Sequence, residues 1–477
     1  MSTTVITPAP HSPLVVPLAA HTATDMRSTD TAGRQLLLFQ AASPAASGAA
    51  SPPIGAIDGL QQSDVACTIE RRTPATPTTP GCRTSATATR TTITSRTATG
   101  CVSSAELNPA PPADFSFSRL VEAYLDCRRA KRNTPSARDF EQHQEALLYD
   151  LHADLAAGTW QPGRSTCFVI TRPKPREVWA APFRDRIVHH LLYNRIAPAI
   201  ERSFIADTCA CIPGRGTLYA ARRLEAKVRS ITQNHTRPAY YLKLDLANFF
   251  VTIDKPVLRD QLTRRIADPW WRALALQILL HDPRTNADIR VPASRLALVP
   301  PHKSLLRQPA HLGLPIGNLS SQFFANVYLD ALDQYAKHTL HARHYIRYVD
   351  DIIILGHTTA ELRAHHDAIA TFLPRRLHVA LNPAKTVLQP VSRGIDFVGH
   401  LIKPHRTLPR RRTVHALLQR MDRAPLPELH RSANSAFGLL RQSTHSHTDR
   451  TRLANLLRRR GLAVDHRLTK AYTQGNP

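Results

Sequence analysis

The chain has 477 residues and 42% apolar content, enough for a sizeable core and two or three domains, which excludes a wholly disordered or fibrous protein. Its 62 Lys and Arg against 36 Asp and Glu give a formal net charge of +26, a field that favours a polyanionic partner, nucleic acid ahead of an anionic membrane surface. No run approaches the roughly 18–20 continuous apolar residues of a membrane helix, and the N-terminus lacks the basic segment of a signal peptide.

Seven cysteines without repeated CxxC pairs supply neither a disulfide framework nor a zinc site. Cys209 and Cys211 are expected to be packing residues in a reducing compartment, and the protein to be cytoplasmic with no membrane partner.

Residues 1–105 hold 7 Arg, no Lys and 5 acids, a net of +2, so +24 falls on residues 106–477. This first segment is dominated by Thr, Ala, Ser and Pro and has no sustained period, which predicts disorder. The same composition also fits upstream sequence swept in by an early start, although only Met1, Met26 and Met421 exist as methionine starts.

Helical periodicity begins at about residue 114, with FSRLVEAYLDCRRAKR and FEQHQEALLYDLHADLAAG, the latter stopped by Gly158. TCFVITRPKPREVWAAPF then reads as strand, turn, strand, followed by the helical RDRIVHHLLYNRIAPAIERSF. YYLKLDLANFF, residues 240–250, predicts a strand that ends at Asp245 and runs into a turn. Residues 268–309 are Pro-containing and irregular, and predict an insertion or long loop. Leu319, Phe323, Val327 and Ala331 recur every four residues and predict a helix with one buried face. HYIRYVDDIIILG predicts two short apolar strands meeting at Asp350 and Asp351, and residues 406–477, with 15 Lys and Arg against 4 acids, predict a basic helical domain.

Adjacent aspartates between apolar strands are locally unfavourable, because like charges repel and Asp is a poor strand former. A divalent cation compensates for such a pair, and Mg²⁺ is typically held by one or two carboxylates plus substrate phosphates. Tyr348-Val349-Asp350-Asp351 taken alone is equally an ordinary hairpin turn. Asp245 alters that balance: a two-metal phosphoryl-transfer site takes carboxylates from at least two strands, and Asp245 with Asp350 would bridge both ions while Asp351 is a weaker ligand or a support.

In order, LKLDLANFF, GLPIGNLSSQ, YVDD, LNPAKT and GIDFVGH resemble the motifs of reverse transcriptases over roughly residues 115–450. The resemblance implies an α/β (α+β) right-hand polymerase with fingers, a palm of antiparallel sheet plus helices, and a small helical thumb. The expected boundaries are a disordered extension over 1–105, N-terminal helices and fingers over 106–235, the palm over 236–403 and the basic thumb over 404–477. It further implies RNA-directed DNA synthesis from dNTPs on a template RNA and primer, with two Mg²⁺ ions, Mn²⁺ being the alternative.

By the same resemblance Asp245, Asp350 and Asp351 are the catalytic, metal-binding aspartates. Phe250 falls on the steric gate that selects deoxynucleotides, its other reading being core packing. Lys174 and Arg176 match positions that contact the incoming triphosphate, although any of Arg172, Lys174, Arg176 and Arg184 is a candidate for that role. Lys385 matches the residue that protonates pyrophosphate, or is a solvated surface lysine. Residues 397–400 match the primer grip, with His400 in place of a more usual aromatic.

Ile316-Gly317-Asn318-Leu319-Ser320-Ser321-Gln322 departs from the Gln-Gly and Ser-Pro of many relatives and resembles the enzymes of diversity-generating retroelements. That subgroup implies error-prone copying opposite adenine and a small basic accessory protein, with Ile316, Gly317 and Gln322 beside the nascent base pair. The alternatives are a retron or phage-defence reverse transcriptase, or an inactive RNA-binding relative.

Overall fold

The computed structural model describes residues 109–129, 134–172 and 174–473. The disorder expected of residues 1–105 lies outside the described residues. The first helices are α1 (Phe117–Arg128), α2 (Pro135–Gln142) and α3 (Gln144–Ala157). Ser116 caps α1 by accepting from the Arg119 amide, and α3 ends where Gly158 turns left-handed at φ 67°. Leu120, Ala123 and Tyr124 of α1 enter the main core beside α4 (Phe183–Glu201). Between them β1 (Ser165–Ile170) and β2 (Arg176–Ala180) form the expected antiparallel hairpin.

After α5 (Thr217–Ile231), the strand β3 (Tyr240–Asp245) runs through the centre of a four-stranded sheet. Its partners are β6 (Asp351–Gly356) and β7 (Val387–Pro390), and β5 (Tyr345–Tyr348) flanks β6; every pairing is antiparallel. Period-two alternation sorts this sheet's residues into two layers. Leu242, Leu244, Ile352 and Ile354 point to the main core, whereas Tyr241, Ile346, Ile353 and Leu355 pack with Ala220, Leu224 and Val228 of α5. A fully buried Leu or Ile contributes about 1.5–3 kcal/mol, so both faces fix the register.

The segment 268–309 corrects the sequence reading. Residues 269–280 form a regular helix, with Asp268 accepting from the Trp271 amide at 3.0 Å, Pro269 in the first turn, and Trp270 and Trp271 in the core. The remainder is short but ordered: Ala287–Ile289 adds a parallel strand to β1, and Glu177 holds the 304–306 turn by accepting from Ser304 Oγ and from the Leu305 amide at 2.8 Å.

The helix Leu319–Gln334 lies where the four-residue spacing put it, but twelve of its 16 residues are buried, so it is buried nearly all round rather than on one face. Asp330, Asp333, Asn326 and Ser320 are among them, and their partners explain why polar residues are tolerated there.

Strands Ile395–Phe397, His400–Lys403 and Arg406–Pro409 form a separate antiparallel meander. Beyond it, helices Arg411–Arg423, Leu426–Leu440 and His447–Arg459 and a two-stranded ribbon share their own core around Met421, Phe437 and Leu457. Residues 411–459 are largely helical, and the ribbon that follows them was not read from the sequence. The mixed helix-and-sheet class agrees with the sequence reading.

Candidate active site

Strand pairing sets the site. Asp245, the last residue of β3, lies directly opposite Asp351, the first of β6; directly opposed residues in an antiparallel pair have Cβ atoms about 4.5–5.5 Å apart. Asp350 precedes Asp351 in the turn between β5 and β6, where Tyr348 pairs with Asp351 and leaves a two-residue loop, Val349-Asp350. Val349 has φ 56°. A positive φ at the first loop residue alone is the signature of a II′ hairpin turn, a position that glycine usually occupies. A β-branched residue held there costs on the order of 1–3 kcal/mol.

The Asp350 carboxyl is pushed up to about 6 by burial first, and then by the charges of Asp351 and Asp245, with Arg176 acting the other way. The Asp350 side chain keeps some accessible surface, but its carboxyl is enclosed by protein. Asp245 is only 6% exposed. Lys385 Nζ lies 2.5 Å from Asp245 Oδ1, Asn382 Nδ2 donates to the same oxygen at 3.4 Å, and Lys243 Nζ lies 3.5 Å from Asp351 Oδ1.

This donor set suits a divalent cation. Three carboxylates crowd one end of the sheet, and Asp350 is raised by the charges of the other two, a tension that a cation relieves. Among the described residues no group of three or more His, Cys, Asp or Glu side chains, the three aspartates included, stands ready arranged around a metal position. The aspartate site is open, with ammonium groups touching two of its three members.

Phe249 and Phe250 separate cleanly. Phe249 is buried in the main core, while Phe250 is half-buried, 5.5 Å away in an edge-to-face arrangement. Of the four basic candidates, Arg184 lies in the first turn of α4 and is tied to Asp154, whereas Lys174 and Arg176 of the hairpin are exposed and the Arg176 charge is felt at Asp350.

Ile316 docks its carbonyl on the Trp179 amide at 2.7 Å. Gly317 has φ 129°, and a Cβ there would lie 3.0 Å from the Trp179 carbonyl oxygen, so only glycine fits. Asn318 Oδ1 accepts from the Ala181 amide at 3.2 Å, and Gln322 Oε1 is buried with no hydrogen-bond partner among the described residues.

In the 397–400 turn, Phe397 is buried and meets the Tyr348 ring edge-on at 6.4 Å. His400 is buried and shares a 3.0 Å hydrogen bond with Ser443 Oγ of the C-terminal unit. Cys209 is fully buried and burial pushes its thiol up to about 12, which fits a packing role.

The sequence reading missed Lys243, Asn382 and the buried pair of Arg347 with Asp333. Arg347 and Lys243 each carried one available signal, a charge inside an apolar strand.

The reverse transcriptase (RNA-dependent DNA polymerase) family model matches residues 172–402. Those residues belong to the reverse transcriptase family. The match contains Lys174, Arg176, Asp245, Phe250, Asp350, Asp351 and Lys385, together with residues 316–322, and stops before the C-terminal helices.

The chain is also 23% identical to Protein YkfC of Escherichia coli (strain K12) over 291 residues, which cover 53% of this chain and 70% of that protein. Among solved structures it is similar to telomerase from Candida albicans in complex with a TWJ fragment of telomeric RNA (13% identity, TM-score 0.40) and to apo telomerase from Candida tropicalis (14% identity, TM-score 0.38). The alignments cover 63% and 66% of this chain but only 53% and 61% of those chains, so it spans little more than half the length of the telomerases it matches. Among the described residues no helix is long and apolar enough to cross a membrane.

Proposed function

We propose that this protein is an RNA-directed DNA polymerase that extends a primer with dNTPs on an RNA template, and that Asp245, Asp350 and Asp351 hold its divalent cations. The observation that carries this reading is the direct opposition of Asp245 and Asp351 with Asp350 beside them, the charge of each raising the Asp350 carboxyl. The cations would be two Mg²⁺ ions, or Mn²⁺, which in such sites lower the pKa of the attacking hydroxyl and neutralise charge on the triphosphate and leaving pyrophosphate.

The chain's own residues have separable tasks. Arg176 and Lys174, exposed at the mouth of the first hairpin, bind triphosphate oxygens, Arg as a fork of donors and Lys as a point charge. The exposed part of the Phe250 ring lies against the sugar and excludes a 2′-hydroxyl. Lys385, now paired with Asp245, supplies a proton to pyrophosphate. The fingers comprise residues 106–235, the palm 236–403 and the thumb 404–477.

Within this activity we assign the enzyme to the diversity-generating type, error-prone and aided by a small basic accessory protein. Support comes from Ile316, whose apolar side chain replaces a hydrogen-bonding one where residues 316–318 are clamped to the hairpin. The test of the core reading is primer extension on a defined RNA template. Wild-type protein extends the primer and Asp350→Asn does not, while both bind the RNA equally; extension by Asp350→Asn near the wild-type rate would overturn the assignment.

A further inference from the structure

Arg347 lies three residues before Asp350 on β5 and is fully buried. Its guanidinium is held on both edges. Nε and Nη2 donate to the two oxygens of Asp333 at 2.8 and 2.7 Å, a bidentate pair, and Nη1 donates to Asn326 Oδ1 at 3.2 Å. Nη1 also donates to the carbonyl of Val349 at 3.0 Å. Burial works against the Arg347 charge, but Asp333 more than offsets it and the guanidinium stays protonated.

Asp333 is itself saturated, accepting from Tyr345 Oη and from Thr208 Oγ1, both at 2.6 Å. The Arg347 backbone is pinned on the other side by the 207–209 segment, through its amide to the Asp207 carbonyl and its carbonyl from the Cys209 amide, each at 3.0 Å. The guanidinium therefore has no freedom to follow the turn; the turn must follow it.

What the guanidinium holds is the strained residue. Val349 sits at φ 56°, a conformation that persists only where its surroundings over-determine it. Its carbonyl is one end of the peptide unit whose nitrogen belongs to Asp350. Fixing that carbonyl fixes the peptide plane from which the Asp350 side chain departs.

We propose that Arg347, locked by Asp333, is a positioning residue that holds the Val349–Asp350 peptide in the orientation the aspartates need. This rests on the polymerase reading above. Lysine in place of arginine keeps the buried charge but lacks the planar fork, so it cannot satisfy Asp333 on two oxygens and reach the Val349 carbonyl together. The turn then relaxes toward an unstrained φ and Asp350 leaves its place.

The test compares wild type, Arg347→Lys, Tyr345→Phe, Val349→Gly and Asp350→Asn in the full chain. Three quantities are read: kcat and KM for extension of oligo(dT) on poly(rA), normalised to folded protein; Mn²⁺ binding measured calorimetrically without nucleic acid; and the thermal midpoint. Arg347→Lys is expected to lower kcat at least tenfold and weaken Mn²⁺ binding severalfold, with KM for primer–template within twofold. Tyr345→Phe, which removes an Asp333 partner but leaves the Val349 bond, is expected to lower the midpoint and change neither kcat nor Mn²⁺ affinity.

Val349 packs against the main core besides holding its positive φ, so the set also includes Val349→Ala: both variants lose that packing, only glycine takes φ 56° without strain, and Val349→Gly is expected to melt above Val349→Ala whether or not Arg347→Lys folds. Unchanged kcat and Mn²⁺ affinity in Arg347→Lys overturns the proposal, and so does a Val349→Gly midpoint at or below that of Val349→Ala. Wild-type kcat in Asp350→Asn overturns the parent reading instead, and the positioning role with it.

Discussion

Asp245 and Asp351 face one another across the central strand pair, and each is touched by a lysine, Lys385 on Asp245 and Lys243 on Asp351. The third carboxylate, Asp350, has no lysine or arginine in ion-pair contact among the described residues, and its pKa is raised. Without cations the site is therefore under electrostatic tension centred on one residue.

That tension has a thermodynamic signature. Asp350→Asn removes the enclosed charge, so without divalent ions at neutral pH the variant should melt above wild type, each kcal/mol relieved being worth about 2–4 °C in a domain of this size. Added Mg²⁺ should raise the wild-type midpoint and leave the variant nearly unmoved. Differential scanning calorimetry with and without Mg²⁺ measures both, and a metal-free variant less stable than wild type would contradict the reading.

The two adjacent phenylalanines should respond differently to truncation. Phe250→Ala is expected to raise ribonucleotide incorporation with little loss of stability, because its ring is half-exposed. Phe249→Ala should instead destabilise by about 3–5 kcal/mol, as a buried aromatic does, and leave sugar discrimination unchanged in the folded fraction. Single-nucleotide incorporation with paired rNTP and dNTP decides; equal discrimination by Phe250→Ala and wild type would make Phe250 a core residue.

Fidelity should track Ile316. Ile316→Gln is expected to lower misincorporation, most of all opposite template adenine, because a polar side chain against the nascent pair favours correct over mismatched geometry in the transition state. A tenfold change needs only about 1.4 kcal/mol. Sequencing of cDNA made on a defined RNA, with any accessory partner supplied, reads it out. A wild-type error spectrum that is low and indifferent to the template base would remove the diversity-generating assignment and leave the polymerase standing.

His400 predicts a pH dependence. Burial lowers its pKa, opposed by Glu225 and assisted by Arg410, so the fold favours the neutral ring. That stabilisation is whole above the ordinary histidine value of about 6.5 and is lost as pH falls from there through the folded-state value, at up to about 1.4 kcal/mol per pH unit. Since His400 bonds Ser443 across two units, acidification below pH 6.5 should loosen the C-terminal helices first. Hydrogen exchange at residues 411–459 follows it, and His400→Phe should flatten the dependence; an unchanged pH profile in that variant would assign the effect elsewhere.

Much of this was legible in the sequence because the relevant signals are local. Alternation around Asp245 and the YVDD turn located the sheet and its aspartates, and Gly158 located a helix end. The helix after Asp268 was misread because Pro269 and the Pro-containing, irregular sequel suggested a loop, whereas Asp268-Pro269 is itself a helix-start signal, a cap followed by proline in the first turn. Arg347, Lys243 and Asn382 stayed hidden for a different reason. Their partners lie 14 to 137 residues away in sequence, as with Asp333, Asp351 and Asp245, and no spacing rule reports contacts made by folding.

The strict register of β3 against β6 makes the carboxylates hostages of the core. A slip of one residue would exchange Asp351 for Ile352, driving a charge into the core layer of Leu242 and Leu244 and setting an isoleucine at the mouth of the site. Misaligned chains are therefore rejected by oil and water before any nucleotide arrives, and a folded molecule whose aspartates are out of line is a state the sheet does not populate.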